Sequence, residues 1–446
     1  MSTVDPQCRD WVVHAGLVVR SQDCTVHRLT LRVGNGHVSM GRGEPAPDSF
    51  NSPSVIDATD LWVLPGLIDP HVHFREPGYT HKETIKTGCR AAAKGGYTAV
   101  VCEPNTEPPL GSPSLIRELS ERAQQLRGTR VFFKGTMTHG RKGLKVADLR
   151  ALARIPEVVA FSDDGNPVLS EKVMGAVCRE AARLGIPLSP HCEDSEAVIE
   201  AYHAGKTPGF DPGPPYSNEP NYVRRELSLA EQWGCGIHFS HISLRESLGE
   251  ICRFRRLHPE LPITVEVTPH HLFLCLEDYA GQEVPLVNPP LRSRDDMRAL
   301  QDALCEGTVD VVASDHAPHT RTEKGEGARG FIGLESTLSL IITHFVEPGR
   351  LTLSEAVRVL SANAARAFGL PGGQIGPGWP ADLTFVDPDA GCTIDGETME
   401  SRSSNTPFDG RFVRGTVCAT MVGGRLVYAD GDFENRIDMP ENRELT

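Results

Sequence analysis

Between residues 64 and 316, short apolar runs alternate with longer stretches whose apolar residues recur every third or fourth position. The short runs read as strands: LPGLIDPHVH, YTAVVCEPN, RVFFKGTM, VVAFSDD, IPLSPHCED, GIHFSHI, ITVEVTPHH and VDVVASDH. Between most of them lie amphipathic helical patterns: HKETIKTGCRAAAKGG, SPSLIRELSERAQQLRG, SEKVMGAVCREAARLG, LRESLGEICRFRRLH and SRDDMRALQDALCEG. Ser112 and Ser170 stand at N-cap positions, and Gly185 and Gly307 follow two helix ends. Eight such units in succession predict an α/β chain with a (β/α)8 barrel of the TIM type.

The rhythm differs at both ends. WVVHAGLVV and TVHRLTLRVGNGHV near the start, and ADLTFVDP and GRFVRGTVCATMVGGRLVYADGD near the finish, are β-branched runs broken by Gly and Asn. The reading is one β domain built from residues 1–64 and 371–446, beside a barrel of residues 65–370. A chain of 446 residues is long enough for both. Its net charge of −14 argues against a nucleic-acid or anionic-membrane partner, while leaving room for a small anionic substrate at a local site. No apolar run approaches a membrane span, and MSTVDPQCRDWVVHAG lacks the basic and apolar regions of a secretory signal. Twelve scattered cysteines without a CxxC pair fit a reducing cytoplasm.

Nearly every apolar run ends in polar chemistry: His71 and His73, Asn105, Asp163 and Asp164, His191, His241, His270 and His271, and Asp315 with His316. In a barrel of this type the C-terminal strand ends form one face, and active sites are built there. His71-Val72-His73 places two imidazoles on one strand face, although an ordinary pair of barrel histidines reads the same. Asp163-Asp164 reads either as an N-cap pair for the helix at 168–184 or as a source of a metal ligand. His191 or His241 alone reads as a core or loop histidine, and Asp-His-Ala-Pro-His at 315–319 as a polar loop. Jointly, these groups keep to one end of strands 1, 4, 5, 6 and 8, which independent core histidines would not do. Imidazole nitrogens and carboxylate oxygens suit Zn²⁺, Mn²⁺ or Co²⁺. So many ligands suit two ions sharing a hydroxide, with a neighbouring carboxylate for general acid–base work.

The segments PGLIDPHVHFREPG, AAAKGGYTAVVCEPNT, AFSDDG, PHCED, EVTPHH, NPPLR, SDHAPH and NTPF extend the pattern over most of the chain. Together they resemble the amidohydrolase superfamily and, within it, the bacterial type I dihydroorotases. The resemblance implies a distorted (β/α)8 barrel with a β-sandwich-like domain formed from both termini. It implies that His71 and His73 ligate one zinc ion, that His191 and His241 ligate a second, and that Asp164 bridges the two. Asp315 would contact the first ion and act as general acid–base. The fourth strand ends in Phe161-Ser162-Asp163-Asp164, without the bridging lysine that many amidohydrolases carry.

The implied reaction interconverts N-carbamoyl-L-aspartate and L-dihydroorotate in pyrimidine biosynthesis, with the hydroxide attacking the ring amide carbonyl. Cyclisation removes a carboxylate, so it consumes a proton and is favoured at lower pH. The substrate's remaining carboxylate needs a partner. Arg75 can supply a bidentate fork, and the resemblance adds His73, Asn105, Asn288, His319, Arg329 and Gly330. Read alone, Arg75 would pair with Glu76 or Glu83, and Asn288 would be a turn residue before Pro289-Pro290. His270 and His271 read as strand-end structure. Residues 320–333 read as a mobile loop over the site. Two residues depart from the family pattern: Arg329 replaces the usual Phe, and Glu107 a common Arg.

The competing readings are an allantoinase- or hydantoinase-type cyclic amidase, and a non-catalytic partner of aspartate transcarbamoylase. Arg75, Asn105 and His319 weigh against the first, and the full set of histidines weighs against the second. A homodimer, or docking of a catalytic chain on aspartate transcarbamoylase, is compatible with the acidic composition.

Overall fold

The computed structural model describes residues 10–20, 25–40, 54–194 and 218–438. Strand β1 (Trp11–Arg20) pairs antiparallel with β2 (Thr25–Gly34), which turns at Asn35-Gly36 into β3 (His37–Met40). On its other side β1 runs parallel to β4 (Ser54–Pro65). The barrel strands follow: β5 (Leu67–Val72), β6 (Tyr97–Cys102), β7 (Arg130–Thr136), β8 (Val158–Ser162), β9 (Ile237–Phe239), β10 (Ile263–Val267) and β11 (Val311–Val312). The chain then returns to the first sheet as β12 (Leu383–Thr393), β13 (Phe412–Val422), β14 (Arg425–Ala429) and β15 (Ile437–Asp438).

The terminal strands form one eight-stranded sheet in the order β14-β13-β12-β4-β1-β2-β3, with β15 on β4. The expected union of the two ends is therefore made by hydrogen bonds, with β12 antiparallel to β4 at its centre. Trp11, Val13, Leu31, Ile56, Phe385, Met421 and Phe433 fill a separate core beneath it. Only Gly66 separates β4 from β5, so the sheet runs directly into the strand that carries His71. A Cβ at Gly66 would stand 2.2 Å from the Thr98 side chain, which is why glycine sits at this junction.

Strands β5 to β8 are parallel neighbours, as are β9, β10 and β11. Two junctions close the ring. His316 bridges Val72, and Leu188 bridges both Phe161 and Ile237. The expected fifth strand, IPLSPHCED, is thus reduced to the bridge at Leu188. Pro187 and Pro190 lack amide hydrogens and stop the ladder on either side. The run ITVEVTPHH also ends early. Thr268 caps a short helix, Pro269–Phe273, which carries His270 and His271 off the strand.

The five expected helices form at Ile85–Lys94, Pro113–Leu126, Glu171–Leu184, Arg245–Leu257 and Arg294–Cys305. Ser170 accepts from the Val173 amide as an N-cap should, and Gly185 ends that helix at φ 66°. Ser112 occupies its N-cap position without a capping bond, its hydroxyl meeting Ser114 instead. A further helix, Glu219–Trp233, precedes β9 and was not among those expected. Among the described residues no helix is long and apolar enough to cross a membrane.

Leu188 is fully buried at the junction between β8 and β9. Leu188→Ala should lower stability by about 2–5 kcal/mol, the range for a truncated core leucine. Denaturant unfolding measures this, and an unchanged midpoint would mean that the β8–β9 closure does not depend on this side chain.

Candidate active site

The strand ends bring the expected residues into one buried cluster. Asp164 lies at its centre. Its Oδ1 is 3.3 Å from His191 Nδ1, 3.3 Å from His241 Nε2 and 3.7 Å from His71 Nε2, and its Oδ2 is 3.7 Å from His73 Nε2. Asp315 Oδ1 lies 3.0 Å from His73 Nε2 and 3.5 Å from His71 Nε2. His191 Nδ1 and His241 Nε2 approach to 3.0 Å. Asp163 turns away from the cluster. It accepts from the amides of Met137 and Thr138 and from the Thr138 hydroxyl, which fixes the loop after β7. The sequence left these two aspartates open as alternatives, and the geometry separates them.

Two groups of side chains have donor atoms close enough to share an ion: His71, His73 and Asp315, and His71, Asp164 and His241. His71 Nε2 supplies the test of fit. It is buried and has no hydrogen-bond partner among the described residues. The carboxylate oxygens of Asp164 and Asp315 stand 3.7 and 3.5 Å away. Ligands about 2.1 Å from a tetrahedral zinc are about 3.4 Å from one another. These separations are those of atoms around a shared cation rather than of a direct bond.

Electrostatics agrees. Burial disfavours a charged His71, but Glu266, Glu103 and Asp315 outweigh it and hold the imidazole up at about 10. Burial likewise opposes the Asp315 carboxylate, yet His71 and His73 bring it down to about 2. Asp164 is drawn well below the usual carboxylate range: its burial is outweighed by bonds from His191 and His241. The carboxylates demand positive charge among the imidazoles. The His71 proton supplies part of it, and a bound metal would displace that proton.

The candidate ligands are held from behind. Glu266 accepts from His71 Nδ1 at 2.9 Å, meets His238 Nε2 at 3.0 Å and accepts from the His241 amide at 3.0 Å. Such a contact fixes which histidine nitrogen faces an ion. Asp69 accepts from the amides of His71 and Ser314, both at 3.0 Å, joining the first and last barrel strands. Sequence reasoning passed over both. Their signal was an acidic residue inside an apolar strand, ITVEV or LID. Asn105 Oδ1 pairs with His73 Nδ1 at 2.9 Å, so the residue expected in a substrate clamp also orients a histidine.

Arg75 is buried and forms no ion pair with Glu76 or Glu83. Glu76 takes Arg122 and the Ile85 amide; Glu83 takes His316, Thr87 and Ser401. Instead Arg75 donates to Pro318 O at 3.2 Å and to His319 Nε2 at 3.1 Å. Burial and the nearby Arg75 and Lys82 charges push His319 down to about 2, leaving a neutral ring that accepts from Arg75. Asn288 is more than a turn residue: its Nδ2 lies 3.2 Å from both His191 Nε2 and Asp194 O.

The segment 320–333 is not a free loop. Thr320 and Glu323 form a capping box on the helix Arg321–Gly325, and Lys324 Nζ donates to the carbonyls of Leu286, Ala328 and Gly330. Gly330, at φ 138°, has no room for a Cβ beside Ala317. Arg329 is half-buried next to it, and Glu107 is exposed. His270 packs on Phe331, while His271 bonds Thr268 and Pro289 O.

Residues 62–427 match the amidohydrolase family. The chain belongs to the amidohydrolase family. It is similar to the dihydroorotase of Brevibacillus brevis, with 40% identity over 383 residues, 84% of this chain and 89% of that protein. It is similar to the dihydroorotase of Geobacillus kaustophilus, with 39% identity over 92% of this chain and 97% of that protein. Among solved structures, the L-hydantoinase of Arthrobacter aurescens superposes with a TM-score of 0.83 at 24% identity, over 95% of this chain and 97% of that chain. That last likeness speaks for the amidohydrolase fold alone.

Glu266→Gln should weaken ion binding in this amidohydrolase by about 10- to 100-fold, the usual effect of losing such a support. Asp163→Asn should leave metal content unchanged and lower only the melting temperature. Chelator competition and elemental analysis read both. Full affinity in Glu266→Gln would remove that residue from the support of the site.

Proposed function

We propose that the chain is a dihydroorotase, interconverting N-carbamoyl-L-aspartate and L-dihydroorotate with two zinc ions bound. The observation that carries the choice of substrate is Arg75. It is a buried guanidinium with no carboxylate partner among the described residues, beside the histidine–aspartate cluster. A charge so placed calls for an anionic ligand. Dihydroorotate carries a ring carboxylate, whereas hydantoin and allantoin do not. The dihydroorotases similar to this chain at about 40% identity support the same reading.

His71, His73 and Asp315 would hold one ion, His191 and His241 the other, with Asp164 between them. When bound, the ions supply Lewis acidity at the amide oxygen and lower the pKa of water held with them. The chain's own groups do the rest. Arg75, Asn288 and His319 hold the substrate carboxylate and fix the ring. Asp315 takes a proton from the attacking water and passes it to the departing ring nitrogen. In the cyclising direction, protonated Asp315 helps the substrate's side-chain carboxyl lose an oxygen as water. Charge balance makes ring formation consume a proton, so the equilibrium moves toward dihydroorotate as pH falls.

We place the enzyme in the cytoplasm, consistent with the free thiols of its described cysteines.

The test is to count zinc per chain and follow hydrolysis of dihydroorotate beside allantoin and a hydantoin. Turnover of dihydroorotate alone, with two zinc ions per chain, is expected. Turnover confined to another cyclic amide would overturn the substrate assignment. Asp315→Asn should keep its metal and lose about 10²- to 10⁴-fold in kcat; near-normal turnover would sink its proton-transfer role. Arg75→Met should raise KM for dihydroorotate about 10- to 100-fold, as the loss of a charged hydrogen bond requires, with metal content unchanged.

A further inference from the structure

The mechanism leaves two charged side chains in the barrel interior unused. Glu103 immediately follows β6, and Lys134 lies on β7; both are buried, and they form an ion pair. Lys134 Nζ also donates to Ser189 Oγ at 2.8 Å, and Ser189 shares a hydrogen bond with Ser240 at 2.7 Å. Glu103 Oε1 lies 3.7 Å from His71 Nε2, the same separation as Asp164 Oδ1 and close to the 3.5 Å of Asp315 Oδ1. Three carboxylates from three strand ends thus converge on one nitrogen, itself buried and without a hydrogen-bond partner among the described residues. Glu103 Oε2 is likewise buried and without a partner among the described residues. A buried ion pair gives up hydration that an apolar pair of similar size would not. Its position against His71 suits a role in charge better than one in packing.

We propose that Glu103 belongs to the ion site: its carboxylate faces the ion held by His71, and Lys134 sets how much of that negative charge the ion feels. The proposal rests on the two-ion reading above and adds a residue pair to it. It requires opposite effects from the two halves of the pair. Removing the Glu103 charge weakens the ion carried by His71. Removing the Lys134 charge leaves Glu103 uncompensated, so that ion binds more tightly while the metal-free protein becomes less stable.

The experiment uses the full chain stripped with a chelator and titrated with zinc against a chromophoric competitor, with melting temperatures taken with and without zinc. The parent should take up two ions. Glu103→Gln should weaken one of them about 10- to 100-fold and leave the other alone. Lys134→Met should tighten that same ion and lower the metal-free melting temperature. A purely structural pair would weaken zinc binding in both variants, and that result overturns the proposal. Should either single variant fail to fold, Glu103→Leu combined with Lys134→Met replaces the pair by apolar groups. It should fold and bind the first ion more weakly than the parent; parental affinity there overturns the proposal. A parent that takes up no zinc overturns the two-ion reading itself, whereas a parent with two ions and unchanged variants overturns only the role of Glu103 and Lys134.

Discussion

Concentrated negative charge, out of reach of water, is the constraint on which the rest of this molecule turns. Asp164, Asp315, Glu266 and Glu103 are all buried around His71 at one end of the barrel. At low dielectric such charges cannot stand together without cations among them. The structure supplies what it can: Lys134 against Glu103, and imidazoles against the others. The elevated His71 expresses the surplus of negative charge around it, and the depressed Asp315 the compensation that His71 and His73 give it. A divalent ion would satisfy a demand already built into the fold.

The same reasoning separates the ion site from the substrate pocket. Near the cluster the unmet charge is negative, and at Arg75 it is positive. His319 does not neutralise Arg75, because its own ring is kept uncharged and meets Arg75 through an accepting Nε2. An anionic substrate with a polarisable amide would find complementary charge at each end. The likeness to a hydantoinase at a TM-score of 0.83 shows how little of this the fold decides.

Most of the fold was legible because barrel strands are continuous apolar runs and their helices keep a clear three-to-four spacing. The fifth strand was misjudged: the composition of IPLSPHCED suggested a strand, while Pro187 and Pro190 allow only the bridge at Leu188. The cluster of histidines and aspartates was legible as a pattern of strand ends. The choice of Asp164 over Asp163 was not, since adjacent aspartates differ only in which way the turned backbone aims them. Arg75 was found, but its surroundings were not, because the nearest acids in sequence, Glu76 and Glu83, are taken by residues far along the chain. Glu266, Asp69 and the Glu103–Lys134 pair went unread for a related reason. Each acts through a partner on another strand, and sequence spacing carries no record of that.

Backbone strain explains why the site needs so rigid a frame. Six described non-glycine residues have positive φ, and Arg75, Arg141, His241 and Asp315 among them line or support the site. Such conformations cost of order 1–3 kcal/mol each and persist only where the surroundings over-determine them. Here the surroundings do so. The Pro318 carbonyl and His319 hold Arg75, Glu266 accepts from the His241 amide, and Arg141 donates to the carbonyl of Asp164. His71 itself rides on β5, which Gly66 joins without slack to the terminal sheet, and the Asp382 carbonyl accepts from the Gly66 amide at 2.9 Å. The terminal sheet thus anchors the strand that carries His71.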